Sequence, residues 1–150
     1  MRPIVRLLIF TAVLALASQL AASGLSARGA SGLVTATVPQ GQTVADLRNQ
    51  LFVQSLTCSQ TCDATTWVSI SVKDARQLGF KGGGSSVAVA SSYVRLKPNK
   101  ATKVGFVLTK DGKTLLRRAK SGLHVNGRVT TFSTTKPSVH GSIGWHVTLK

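Results

Sequence analysis

The stretch Leu51–Val72, LFVQSLTCSQTCDATTWVSISV, decides how the chain is read. In its second half Val68, Ile70 and Val72 alternate with Ser69 and Ser71, a period of two with β-branched residues on the face to be buried. In its first half Phe52, Leu56 and Cys58 share one parity, and Leu51 and Val53 share the other. That arm is apolar on both faces at its start, as expected of a central strand. Between the arms lies Cys58-Ser-Gln-Thr-Cys62, followed by Asp63. The expectation is one β-hairpin with a cysteine on each side of its turn.

A C-x3-C spacing admits three chemistries. A metal site would need a second Cys or His pair at zinc spacing, and His124, His140 and His146 stand singly and far away in sequence. A redox role would need a Trp-Cys-x-x-Cys motif in a βαβ setting, which is missing. A disulfide between Cys58 and Cys62 is the favoured reading, and it requires an oxidising compartment. Closing so short a loop removes only about 2 kcal/mol of unfolded-chain entropy. The bond would therefore clamp a turn and contribute little of the total stability.

The N-terminus supplies the compartment. Arg2 and Arg6 precede the apolar run Leu7–Ala17, LLIFTAVLALA, which is too short to span a bilayer and of signal-peptide length. Small residues at Ala21, Ala22 and Ser23 suit cleavage, so residues 1–23 are read as a secretory signal. After its removal no segment reaches membrane-spanning length, and the chain is expected outside the cytoplasm, secreted or in the cell envelope. Residues 24–32 are small and polar and are read as a flexible lead-in to a single domain over 33–150.

The chain carries 19 Lys+Arg against four acidic residues, a formal charge of +15. The acids are Asp46, Asp63, Asp74 and Asp111, and Glu is absent. Such a domain is drawn to polyanions in low salt whether or not that is its role.

Outward from the decisive stretch, Leu33–Val38 alternates as a strand. Thr43–Asn49 has an N-cap and Val44 and Leu47 at helical spacing, enough for one or two turns. Lys73–Phe80 reads as a short helix stopped by Gly79. Lys81-Gly-Gly-Gly-Ser-Ser86 is a loop, because the lysine precedes the glycines instead of following them as in a phosphate cradle. Val87–Ala90 and Tyr93–Leu96 are strand material, one strand bent at Ser91-Ser92. Val104–Leu108 is expected to form a second hairpin with it, Val94 and Leu96 pointing inward.

Thr109–Ser121 reads as a helix with Leu115, Leu116 and Ala119 buried. Lys113, Arg117 and Lys120 stand at i, i+4 and i+7 with Arg118 beside them. These four are the candidate polyanion contact. The plainer reading, a solvated helix face with late cations suiting the dipole, is favoured because no aromatic residue interleaves with them. Leu123–Phe132 is a half-exposed strand with a bulge at Gly127, and Lys136-Pro137 and His140-Gly-Ser form a loop. Ile143–Leu149 closes the chain with Trp145 inward. His124 and His146 share an outward parity, but two histidines without a carboxylate or thiolate make a poor metal site.

About seven short strands with two short helices in connections predict a mainly β fold, an antiparallel β-sandwich. The order of C58-x3-C62, an alternating strand, "DARQLGF", "VGFVLT", "KTLLRRAKS" and "LHVNGRVTTF" resembles Ig-like modules of exported proteins from high-GC Gram-positive bacteria. The resemblance spans Leu51–Lys150 and departs at Thr134–Ser142, where those modules carry an Asp-Ala-x-Gly-Asn turn. It implies a non-catalytic module with no cofactor.

The residues agree with that implication. Four scattered Asp offer no carboxylate pair for glycoside chemistry, no G-x-S-x-G elbow occurs, and both cysteines are read as paired. No enzyme, cofactor, metal or small-molecule substrate is expected. Two functions stand: an exported structural or interaction module with a protein or anionic envelope polymer as partner, or a secreted binder of polyanions such as cell-wall polymer or nucleic acid.

Overall fold

The structure, a computed structural model, describes residues 24–28, 32–135 and 139–150. The signal segment expected over residues 1–23 and the Lys136-Pro137 turn lie outside the described residues. Two antiparallel sheets make the body. The first runs in the order β1 (Gly24–Arg28), β2 (Val34–Pro39), β3 (Val53–Cys58), β6 (Thr102–Gly105). The second runs β7 (Val107–Leu108), β5 (Ser86–Leu96), β4 (Cys62–Ser71), β8 (Leu123–Ser133), β9 (His140–Leu149). Three helices, α1 (Val44–Arg48), α2 (Val72–Gln77) and α3 (Lys110–Leu116), sit in connections.

The mainly β sandwich is as expected, with nine strands and three helices among the described residues against an expected seven or so and two. Without edge strand β1 and the short β7, the order β2-β3-β6 faces β5-β4-β8-β9. That is an immunoglobulin-type arrangement, with β4, β8 and β9 in the C, F and G places. Gly24–Arg28, part of the stretch read as a lead-in, pairs along β2 as β1.

The hairpin expected over Leu51–Val72 is not formed. β3 pairs with β2 and β6, whereas β4 pairs with β5 and β8. Leu56 and Cys58 on one arm and Cys62, Ala64, Val68 and Ile70 on the other are all buried. Period-two burial suits two strands facing one another across a core as well as two strands side by side. The polar Ser59–Thr61 stretch is therefore a corner between sheets, with the Ser59 N–H donating to the Leu33 carbonyl at 2.9 Å.

The second expected hairpin fails for the same reason. Val104, Phe106 and Leu108 are inward as predicted. β6 nevertheless crosses to pair with β3, and only β7 returns to β5, at Ala90 and Ser91. β5 is one strand, but its irregularity opposes Val68/Ser69 and leaves Val89 as the extra residue, not Ser91-Ser92. Gly127 is no bulge: it pairs regularly with Val68 and Trp145, and a Cβ there would overlap the Trp145 indole. His140-Gly-Ser, expected in a loop, opens β9.

The sheets close on Phe52, whose ring meets Phe106 edge-on at 5.4 Å and stacks on Trp145 at 5.9 Å. Gln54, fully buried on β3, donates to Thr66 Oγ1 on β4 at 2.6 Å. It accepts from Trp145 Nε1 on β9 at 3.1 Å. One amide thus bonds across the core to two strands of the other sheet.

Candidate functional site

Strand directions sort the chemistry into two ends and one face. Cys58, Cys62, Leu96 and Ser133 meet at one end, where Cys62 pairs with both Leu96 and Ser133. The expected disulfide is formed, Cys58 to Cys62 with Cα atoms 6.5 Å apart, and both cysteines are fully buried. Because its halves belong to facing sheets, the bond ties sheet to sheet at the corner. Lys97 and Lys100 belong to this end, where the Asn99 N–H donates to the Cys58 carbonyl at 2.7 Å.

The three helices occupy the opposite end. α1 starts in a capping box: the Asp46 N–H donates to Thr43 Oγ1 at 3.0 Å, and the Thr43 N–H donates to Asp46 Oδ2 at 2.7 Å. These bonds from Thr43 hold the Asp46 carboxyl below the usual carboxylate range. α3 is capped by Thr109, whose hydroxyl donates to the Ala88 carbonyl at 2.7 Å. It can lie on β5 only because residue 112 is glycine; a Cβ would overlap the Val89 carbonyl.

The candidate polyanion contact does not form one ridge. α3 ends at Leu116, not Ser121, because Leu115 and Leu116 are both buried and the Gly122 N–H must reach the Leu149 carbonyl to start β8. Lys120 therefore lies past the helix. Lys113 and Arg117 line a shallow groove of about 410 Å³ with Arg48 and Gln50. Arg118 and Lys120 line a separate one of about 350 Å³ with Asp74 and His124. Arg118 is also structural, donating to the Leu78 carbonyl at the end of α2 at 3.2 Å, its guanidinium lying over Gly79. All four side chains are exposed.

The residues that sequence reasoning missed stand on the outer face of the five-stranded sheet. Trp67, Tyr93, Val107 and Phe132 are four of the five exposed large hydrophobics among the described residues, from 48% to 66% accessible. Their outward parity follows from β4, β5 and β8 alternation, with Val68, Leu96, Thr131 and Ser133 buried beside them. Thr65 and Thr130 are register partners at the centre. Tyr93 pairs with Thr65, Trp67 lies two residues along β4, and Phe132 two residues along β8.

Next to them Arg95 Nε and Nη2 reach Asp63 Oδ1 and Oδ2 at 2.7 and 3.0 Å. This bidentate bond holds the Asp63 carboxyl below its ordinary range and pushes the guanidinium further up. Phe132 meets His140 edge-on at 5.7 Å. Strand alternation in the sequence would have found the face, but only with the neighbours known.

His124 and His146 do share that outward side, one row apart: His124 pairs with Thr148, Asn126 with His146. His124 Nδ1 lies 2.8 Å from Thr148 Oγ1. No group of three metal-ligating side chains occurs among the described residues. Compared with known proteins, the chain matches no family model, no curated protein and no solved structure.

Proposed function

We propose that the chain is an exported, non-catalytic interaction module, an Ig-like sandwich of the kind found in exported proteins of high-GC Gram-positive bacteria, working outside the cytoplasm. One observation carries the reading: the exposed rings Trp67, Tyr93 and Phe132 gather on one sheet face instead of scattering over the surface. Aromatic side chains left together in water mark contact surfaces. Export is supported by the signal-like residues 1–23 and by a bond, Cys58–Cys62, of a type that persists in oxidising compartments. The partner is a protein or an anionic envelope polymer, and no cofactor or small-molecule substrate takes part.

The test is fractionation of cells producing the full chain. The protein should be found in the medium or envelope without its first ~23 residues, show no free thiol before reduction, and sediment with isolated envelopes. Retention in the cytoplasm with reactive thiols, or failure to sediment, contradicts the reading. A second function, polyanion binding at the helical end, is favoured by the convergence of Lys113, Arg117 and Arg48 on one groove. Replacing Lys113, Arg117, Arg118 and Lys120 by Glu should then abolish heparin binding at about 150 mM salt, where exposed charges are screened beyond about 8 Å. Binding unchanged by these replacements removes that second function.

A further inference from the structure

We infer that the outer face of the five-stranded sheet is a binding site for a polysaccharide strand, held by ring stacking on Trp67, Tyr93 and Phe132. This rests on the interaction-module reading and assigns the sheet face a partner of low charge in place of a protein or an anionic polymer. The three rings frame the Thr65–Thr130 register pair on adjacent strands. Register neighbours stand about 5 Å apart and diagonal ones about 7–8 Å, so isolated rings alternate with hydroxyls over the face. The faces of aromatic rings are negative and attract the weakly positive C–H groups of a sugar ring's flat side. The serine and threonine hydroxyls and the Asp63–Arg95 pair, whose side chains are 24% and 66% accessible, offer donors and acceptors to sugar hydroxyls.

Charge separates this occupant from the others. A single-stranded nucleic acid carries a phosphate at every step and needs cations that track its backbone. On the outward positions of β4, β5, β8 and β9 the only Lys or Arg residues are Arg95, already paired with Asp63, and Arg128, opposite Trp67. Lys113, Arg117, Arg118 and Lys120 sit at the helical end instead. A second copy of the exported chain would bring together two bodies that each carry, after residue 23, 17 Lys+Arg against four Asp, a formal charge of +13. These repel, and they would meet across a face that is mostly hydroxyl between its rings. A neutral or sparsely charged glycan fits both the rings and the low charge.

The experiment uses the full-length exported protein and a polysaccharide fraction of the producing cells' envelope, treated with protease and nuclease. Bound protein is measured by sedimentation at about 150 and about 500 mM NaCl. The site predicts binding that changes less than about twofold between these salts, because stacking is not counterion release. Trp67→Ala or Tyr93→Ala should each weaken it by about tenfold, as expected for loss of one stacked ring. Glu replacements at Lys113, Arg117 and Lys120, with Arg118 kept because it holds the end of α2, should leave it within about twofold, since these cations stand at the helical end and not among the rings. Trp145 is the tryptophan left in the Trp67→Ala variant, and blue-shifted emission that moves to the red only on adding denaturant shows that it stays buried and the fold persists.

Binding to intact envelopes but not to the treated fraction overturns the glycan while leaving the interaction module standing. Absence of binding to either overturns both. Tighter binding to an oligothymidylate, loss at high salt, or full binding by the ring variants each overturns the sheet-face site.

Discussion

Gln54 is the residue whose replacement is expected to be most costly. Its amide serves Thr66 and the Trp145 indole at once, in a core where it is fully buried. Gln54→Ala leaves the indole N–H unpaired and opens a cavity, and should cost about 3 kcal/mol in urea unfolding. Ser92 is the counter-case: its Oγ is buried with no hydrogen-bond partner. Ser92→Ala should be neutral or stabilise by up to about 1 kcal/mol in the same experiment.

This network is not legible in the sequence. Gln54 interrupts the parity of Phe52, Leu56 and Cys58, and a lone polar residue in a strand carries no mark of which indole it will meet. Trp145, by contrast, is legible as core because Ile143, Val147 and Leu149 share its parity. Acid tells on other residues. Asp46 and Asp63 titrate lower when folded than the usual carboxylate, through Thr43 and Arg95. Their contribution is complete above the unfolded value near about pH 4 and is lost as pH falls through the folded values. The thermal midpoint should therefore fall with acid below about pH 4, and less steeply in an Asp46→Asn/Asp63→Asn variant, as followed by circular dichroism from about pH 7 down to about pH 2.

Among the elements, the start of α1 is legible from its cap and the strand pairings are not. Thr43 is an N-cap residue by type and position and holds that role, whereas Thr109, read as the first residue of a helix, is the cap of α3. Alternation fixes which residues face the core but leaves open which strand lies alongside. β3 and β4 alternate like neighbours yet face each other, and β6, which suits β5 by its parity, pairs with β3. The extent of α3 is hidden because its stop is set by distant groups, the Gly122 N–H on the Leu149 carbonyl. Two substitutions test the element assignments by urea unfolding. Thr43→Ala should cost about 1 kcal/mol through the cap. Gly112→Ala, whose methyl has no room against the Val89 carbonyl, should cost about 2–3 kcal/mol through overpacking. A Gly112→Ala chain as stable as the parent would mean that α3 does not lie on β5 as described.

At the scale of the molecule, one covalent bond at the corner and one hydrogen-bonded amide in the core join the two sheets. The cysteines are only 4 positions apart in sequence, so the Cys58→Ala/Cys62→Ala variant should lose about 2 kcal/mol and still fold cooperatively. Lys113, Arg117, Arg118 and Lys120 stand at the helical end, Lys97 and Lys100 at the disulfide end, and the rings on a sheet face; composition reveals the charge but not this distribution.

The central claim is that the ring-bearing face is the working surface. Hydroxyl-radical footprinting of the full chain on isolated envelopes tests it most directly. The account predicts that Trp67, Tyr93 and Phe132 become protected on binding while α3 and the Arg117–Lys120 turn stay as reactive as in the free protein. Protection confined to the helical end, with the three rings still open to oxidation, would contradict it.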